Sequence, residues 1–337
     1  MKSISVAQVS RHRRLIYGAA ALMIMFFHMG TNIPNRGALK ILRILQDLGC
    51  CGVEMFLLLS GFGLMRSLQK QPGLKTFWAR RLARVLPPLA VCALCFDIVL
   101  YRGPYAAQVG EGFALDYLMS SAVWYVSFIA LMYLLYPLLD RLCRKRRAVL
   151  WLLTAACTLF SFLLETHIAG PREDMIMRMV SRIPVFLLGC VLAPREIENR
   201  PVSRCALPVL MPLSAVLIAV WRKNMLPGCA YSVRMLCFTV CAMTIILLLA
   251  ILGEWLSGGR ARRIVYRFLG FCGAYSLEIY LVFARVRALM AMIPAGKWGA
   301  FASLKMDFAA AILTILLSAL LSEACSRAVR ALERKRL

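Results

Sequence analysis

Acidic residues are scarce in this sequence, and charged residues of both signs are few. The 337 residues include 16 Asp and Glu against 41 Lys and Arg, and 17% are charged, whereas a soluble domain carries about 25%. Apolar residues make up 61%, and the mean hydropathy is +0.73. This balance excludes a soluble or disordered chain and predicts an all-α, polytopic membrane protein.

Histidine is also scarce, with 3 residues, and the 13 cysteines are scattered through apolar runs. We interpret the cysteines as small buried residues, and the sequence predicts neither a disulfide framework nor a metal site. Because the basic residues fall between apolar runs and not on a soluble domain, no nucleic-acid partner is predicted. The lipid bilayer is the expected surrounding of a single domain that covers residues 1–337.

Apolar windows of the length that crosses a bilayer recur along the whole chain. Lys and Arg concentrate in alternate connections, which are expected to be cytoplasmic. About ten spans with both termini in the cytoplasm fit this pattern. The predicted spans are 14–30, 49–66, 84–101, 117–139, 148–165, 180–194, 205–221, 231–253, 266–289 and 306–323. The first is interpreted as a retained helix, since no A-x-A cleavage site follows it.

Ionisable residues inside spans are the first functional candidates, because burying them in a bilayer is costly. His28 follows the apolar run Leu22–Phe27, and a neutral imidazole there is a candidate general base. Glu54 lies in an apolar helix and needs a partner on a facing span, such as a histidine or arginine. Each of the two is equally compatible with a purely structural role. Glu278 is a second intramembrane acid.

Two arginine pairs mark possible anion sites. Arg81 and Arg84 share a helix face and are suited to binding the phosphates of a ligand, or they serve only topology and lipid headgroups. Arg178 and Arg182 lie on one face at the outer end of the sixth span. They either steer an anionic group or pair with the nearby acids Glu173 and Asp174.

These segments together resemble the membrane acyltransferase 3 family, whose members transfer acyl groups, usually acetyl, to carbohydrates and other cell-surface or secreted molecules. The resemblance covers nearly the whole chain. It rests on six segments in the family's order: His28; Gly52-Val-Glu54 with Phe56 and Leu59-Ser60-Gly-Phe62; Arg81-Leu-Ala-Arg84 with Pro87; Trp124-Tyr125 with Tyr133 and Pro137; Arg182-Ile-Pro-Val-Phe-Leu-Leu-Gly189; and Tyr275-Ser-Leu with Ile279-Tyr-Leu281.

Two positions differ from the family's pattern. Tyr17 stands where the family usually has an arginine, three helical turns before the histidine, and Phe283 stands where it typically has a histidine. Arg14 lies one turn from Tyr17, and its long side chain is a hypothetical substitute. These departures leave open a catalytically degenerate member.

The resemblance implies an O-acyltransferase of a bacterial inner (plasma) membrane that uses acyl-CoA, in particular acetyl-CoA, and holds no permanent cofactor. Arg81 and Arg84, with Arg14, would bind the nucleotide end of acyl-CoA. His28 would deprotonate the acceptor hydroxyl or relay the acyl group, and Glu54 would orient the imidazole. The acceptor would be a carbohydrate or lipid-linked glycan, reached directly or through a separate extracytoplasmic protein. A proton-coupled transporter is the alternative from another class.

Overall fold

The structure is a computed structural model that describes residues 5–30, 33–34, 36–37, 39–69, 73–95, 123–143, 147–167, 171–193, 205–225, 230–293 and 302–334. Over these residues the protein is helical and contains no β-strand, which confirms the all-α prediction. The helices are α1 Val6–Arg11, α2 Arg13–Phe27, α3 Leu39–Asp47, α4 Cys51–Gln69, α5 Leu74–Val91, α6 Trp124–Cys143, α7 Arg147–His167, α8 Pro171–Val180, α9 Ile183–Leu192, α10 Ala206–Arg222, α11 Ala230–Ser257, α12 Arg260–Ala274, α13 Ser276–Ala291 and α14 Ala302–Arg334.

Helix α2 packs closely against several other helices, because small and apolar residues occupy most of its surface. Its buried residues include Gly18, Ala20, Ala21 and Ile24. At Gly18 the backbone of α2 meets that of α12 so closely that a Cβ atom would overlap Leu269 O. Small residues permit this approach between membrane helices. Helix α2 therefore contacts its neighbours through backbone as well as through side chains.

Helix α4 runs antiparallel to α2 along its other side. Gly52 of α4 lies against Ala20 and Ile24, whereas Gly63, three turns later, lies against the guanidinium of Arg13. Glu54 is therefore at the level of the second half of α2. The core between α4, α5, α6 and α9 is filled by large buried side chains, among them Phe77, Tyr136 and Phe186.

Within the described residues, four helical stretches are long and apolar enough to cross a membrane, and five if one bent pair is a single crossing. The four are Leu39–Met65, Ala148–His167, Tyr231–Ser257 and Ala302–Ala331, and Ala206–Arg222 is a shorter apolar helix. The polytopic membrane class is supported, while ten spans and cytoplasmic termini stay predictions. Parts of the predicted spans 84–101 and 117–139 lie outside the described residues.

The predicted span 266–289 is not one straight helix. Helices α12 and α13 meet at Tyr275 with an angle of 79°. The Arg84 guanidinium donates to Ala274 O at 3.0 Å, the carbonyl that a continuous helix would pair with the amide of Glu278. Insertion of a side chain into the helical hydrogen-bond ladder is a known cause of such bends.

Candidate active site

Two cavities of about 370 Å³ each lie toward opposite ends of α2. One is lined by His28 and is called the His28 cavity, and the other is lined by Arg13 and is called the Arg13 cavity. The two residues are separated by about 22 Å along the helix axis, at 1.5 Å per residue. A single helix thus presents a different set of side chains to each cavity.

His28 caps the C-terminal end of α2 and is accessible from its cavity. Its amide donates to Ile24 O and Met25 O, both at 3.1 Å. Its ring packs edge-on against Phe27, with 5.0 Å between ring centroids. No hydrogen bond to the imidazole is made by the residues that the structure describes, so both ring nitrogens are available for a reacting group.

Glu54 pairs with Arg182 and not with His28. The Glu54 carboxylate is fully buried, Arg182 is 6% exposed, and Arg182 Nε lies 3.2 Å from Glu54 Oε1. The Arg182 guanidinium also lies 4.5 Å over the Trp124 ring and donates to Tyr231 Oη at 3.2 Å. Between His28 and Glu54 the described structure has no hydrogen bond or ion pair, so direct orientation of the imidazole by Glu54 has no geometric support here.

The residues after His28 are held by a buried acid on α14. Asp307 is fully buried and accepts from the Gly30 amide at 3.2 Å and from Arg287 Nε at 2.9 Å, both through Oδ1. A Cβ atom at Gly30 would overlap the Arg287 guanidinium. Asp307 and Arg287 thereby fix the position of the segment that carries His28.

In the Arg13 cavity, Arg13 itself contacts Tyr17. Its Nη2 and Nε donate to Tyr17 Oη at 2.9 and 3.3 Å. The arginine that meets Tyr17 is thus Arg13, four residues earlier, while Arg14 is exposed and also lines the cavity. The Arg81 guanidinium lies over the rings of Phe77 and Tyr133, and no described carboxylate pairs with it.

Most hydrogen-bond donors of Arg84 are used by contacts within the protein. It donates to both oxygens of Glu278, at 2.6 and 3.1 Å, to Ser322 Oγ at 3.2 Å and to Ala274 O at 3.0 Å. These contacts use four of its five N–H donors. Arg84 lines the Arg13 cavity but ties α5 to the bend between α12 and α13, and its role in phosphate binding stays a prediction.

A layer of four aromatic rings lies between the cavities. Tyr17 stacks on Phe56 at 5.5 Å, Phe56 contacts Tyr125 at 6.0 Å, and Tyr125 contacts Tyr280 at 5.2 Å between centroids. All four line the Arg13 cavity. The residue before Tyr125 already lines the His28 cavity, as does Val53, one turn before Phe56. The Arg13 cavity is thus bounded by this aromatic layer, and the lining of the His28 cavity begins within one helical turn of Phe56.

The residues predicted from the sequence fall into three groups. The His28 cavity contains His28, Trp124 and Arg182. The Arg13 cavity contains Arg14, Tyr17, Ser60, Arg81 and Arg84. The buried acids Glu54 and Glu278 each neutralise one of these arginines. The side chains of Glu173 and Asp174 lie outside the described residues, so their pairing with Arg178 and Arg182 stays untested.

Among the residues that line these cavities, the sequence reasoning missed Arg13, Asp47, Trp221, Tyr231 and Arg234. One signal was present, since Arg234 lies inside the predicted span 231–253 and an arginine within a span is a functional candidate by default. In the parts of the chain that the structure describes, no group of three or more His, Cys, Asp or Glu is arranged to hold a metal ion.

The family model for an acyltransferase domain, that of the acyltransferase 3 family, matches residues 16–323. The chain belongs to this acyltransferase family. The matched segment contains every cavity residue named above except Arg13 and Arg14, and the family assignment makes the protein a membrane acyltransferase in general terms. No curated protein and no solved structure matches the chain.

The two departures from the family's pattern lie in different places. Tyr17 lines the Arg13 cavity and is bound by Arg13. Phe283 is 3% exposed and is not among the residues that line either cavity. A histidine at position 283 would therefore be buried in the packed core. Of the two departures, Tyr17 is the one that lines a candidate-site cavity.

Proposed function

We propose that this acyltransferase transfers an acyl group, acetyl in the simplest case, from acyl-CoA to a hydroxyl of a carbohydrate or other cell-envelope acceptor. The observation that carries the proposal is the placement of two cavities at opposite ends of one helix. Arginines line both cavities, and the cavities differ in that an accessible histidine lines one of them and no histidine is among the described lining of the other. Donor and acceptor would then approach the site from opposite ends.

Acyl-CoA fits the Arg13 cavity because its phosphates need cationic hydrogen-bond donors. Arg81 offers a guanidinium that no described carboxylate neutralises, and Arg14 is exposed beside it. Arginine binds phosphate bidentately. The flexible arm of acyl-CoA would then carry the thioester past the aromatic layer toward His28.

The chemistry proposed for the His28 cavity is general base catalysis. His28 accepts the proton of the acceptor hydroxyl while the hydroxyl oxygen attacks the thioester carbonyl carbon. The new C–O bond forms, the C–S bond breaks, and the CoA thiolate leaves and takes the proton from the imidazolium. Partial negative charge at the C-terminal end of α2 stabilises the imidazolium during this step. In the covalent alternative, His28 carries the acyl group between two such transfers.

The proposed location is a bacterial inner membrane, with the Arg13 cavity on the cytoplasmic side where acyl-CoA is found. Supporting this orientation, basic residues are concentrated in the connections that the sequence assigns to the cytoplasm. Glu54 would act through Arg182, by fixing the guanidinium in the cavity wall opposite His28.

The test is binding and turnover of acetyl-CoA by the purified protein in detergent. We expect His28→Ala to abolish turnover, to below about one hundredth of wild type, and to leave acetyl-CoA binding unchanged. We expect Arg81→Ala to weaken binding about tenfold by removing one charge-assisted phosphate contact. Arg80→Ala is the matched control, because Arg80 is the neighbouring residue and is exposed outside both cavities.

Wild-type turnover by His28→Ala would refute the catalytic assignment. If the wild type neither binds nor turns over acetyl-CoA, a catalytically degenerate family member is favoured. The structural reason would be Tyr17, which replaces the family's usual arginine in the Arg13 cavity. Movement of a substrate across vesicles without covalent change would favour the transporter.

A further inference from the structure

The His28 cavity has more positive charge than its acids neutralise. Glu54 neutralises Arg182, and Asp47, the acid among the described lining residues, is paired with Arg43 at 3.1 Å and with Arg222 at 3.2 Å. Glu165 forms no ion pair with a described arginine, and its two oxygens accept from the backbone amides of Tyr231 and Ser232 at 2.6 and 2.8 Å. Each described acid near this cavity thus already has a partner.

Arg178 and Arg234 line the cavity beside Arg182, and none of these acids forms an ion pair with Arg234. Arg234 is half-buried and lies 4.4 Å over the Tyr231 ring. Its Nε is enclosed and has no hydrogen-bond partner among the described residues. Arg234 as a whole makes no hydrogen bond or ion pair with a described residue, and a cation in a cavity wall without such a partner fits a ligand that supplies an anionic oxygen.

Flat aromatic surface lies beside this cation. Trp221 is half-buried in the cavity wall, where it is held edge-on against Phe238 at 4.9 Å between centroids. Trp124 lines the same cavity beneath the Arg182 guanidinium. Apolar and aromatic walls with a few fixed polar groups are typical of small-molecule sites, and an indole ring suits the C–H face of a sugar.

From this combination we propose that the acceptor is an anionic saccharide whose carboxylate or phosphate is bound by Arg234. The sugar ring lies along Trp221, and the hydroxyl to be acylated faces His28. This inference rests on the proposed function and deepens it by giving the class of acceptor. The charge of the acceptor, and not only its ring, would decide which molecules are acylated.

The experiment uses the full chain in phosphatidylcholine vesicles and three probes that share a glucose ring. They are methyl glucoside, methyl glucuronide and a glucose phosphate ester, and binding is measured by titration calorimetry. We expect at least one anionic probe to bind about tenfold more tightly than the glucoside, as one charge-assisted contact requires. Whichever anionic probe binds more tightly shows whether the site recognises a carboxylate or a phosphate.

Variants locate the effect. In Arg234→Gln the anionic probe and the glucoside should bind with about equal affinity. Arg234→Lys keeps the charge and should retain part of the difference. Arg262→Gln is the matched control, because Arg262 lies 4.5 Å over Trp255 in the same arrangement and lines neither cavity. It should leave the preference unchanged. Gel filtration of each variant confirms that it is folded.

Three results would overturn the inference: equal binding of all probes, an anion preference that survives Arg234→Gln, or a preference that disappears when phosphatidylglycerol is added to the vesicles. The last result would identify a lipid headgroup site. Binding of acetyl-CoA is measured separately. Its absence would contradict the proposed function, whereas the probe titrations report only on the anion site.

Discussion

The His28 cavity and the Arg13 cavity have the same volume, and each contains an arginine paired with a fully buried glutamate from another helix. The pairs differ in the exposure of the arginine, which is 7% for the Arg182 side chain and 45% for that of Arg84. Arg182 therefore depends on Glu54 for its charge balance, whereas Arg84 can also be solvated. One type of ion pair is used to build a cavity wall in the first case and to hold a helix bend in the second.

The cavities also differ in the groups that can exchange protons near neutral pH. An accessible histidine lines the first, and the described lining of the second has arginines and tyrosines. Arginine keeps its charge and tyrosine keeps its proton at neutral pH. The comparison assigns proton transfer to the His28 cavity and leaves the Arg13 cavity with groups of fixed charge, and three further predictions test the difference between the two cavities.

The largest effect is expected from removing the buried acids. Glu54→Ala leaves Arg182 buried without a counter-charge and should destabilise the protein by about 3–5 kcal/mol. Glu278→Ala should cost clearly less, because Arg84 is already partly exposed. Thermal unfolding of both variants in one detergent measures the difference. Glu323 is an exposed acid that pairs with Arg327, so the control variant Glu323→Ala should leave the unfolding temperature unchanged. A greater loss of stability in Glu278→Ala than in Glu54→Ala would contradict the comparison.

A smaller effect is expected where Asp307 holds the segment after His28. Asp307→Ala frees the Gly30 amide and Arg287, and a shift of His28 by about 1 Å lowers kcat strongly. We expect kcat to fall about tenfold or more, while the KM for acetyl-CoA, set in the other cavity, stays unchanged. Asp307→Asn retains an oxygen acceptor and should recover most of kcat. Loss of acetyl-CoA affinity in either variant would show that the two cavities are not independent.

The smallest effect is expected at Tyr17. Tyr17→Phe removes the hydroxyl that holds Arg13 and should raise the KM for acetyl-CoA about threefold, in line with one modest hydrogen bond. The kcat value should not change, since Tyr17 lies outside the His28 cavity. Steady-state kinetics with varied acetyl-CoA separates the two parameters, and a change confined to kcat would place Tyr17 in the chemistry instead.

The membrane class, the helical fold and the family were predictable because they depend on composition and on motifs that keep their order along the chain. His28, Trp124 and Arg182 were each named from the sequence, and the structure places them in one cavity. The residues that pair with the predicted site residues were not predicted. The helical period tells which face of a helix a residue lies on, but not which other helix packs against that face. Glu54 thus pairs with Arg182, 128 positions later, and Arg84 with Glu278, 194 positions later.

A similar limit applies to Arg13 and Arg14. Positions three and four residues before Tyr17 both lie within reach of its side chain on a helix, so sequence spacing does not distinguish them. In the structure Gly273 of α12 abuts Arg14 O, and the guanidinium that donates to Tyr17 is that of Arg13. The number of spans does not follow from apolar windows either, because α9 has 10 residues and is shorter than a full crossing.

The aromatic layer of Tyr17, Phe56, Tyr125 and Tyr280 has an electrical consequence. Where water fills both cavities in a bilayer, the membrane potential no longer falls evenly over the hydrocarbon thickness but is concentrated across these few rings. A charge that crosses this layer would then experience nearly the full voltage, about 2.3 kcal/mol per elementary charge at 100 mV. Any step that moves net charge between the cavities would become voltage-dependent, whereas passage of an uncharged thioester end would not.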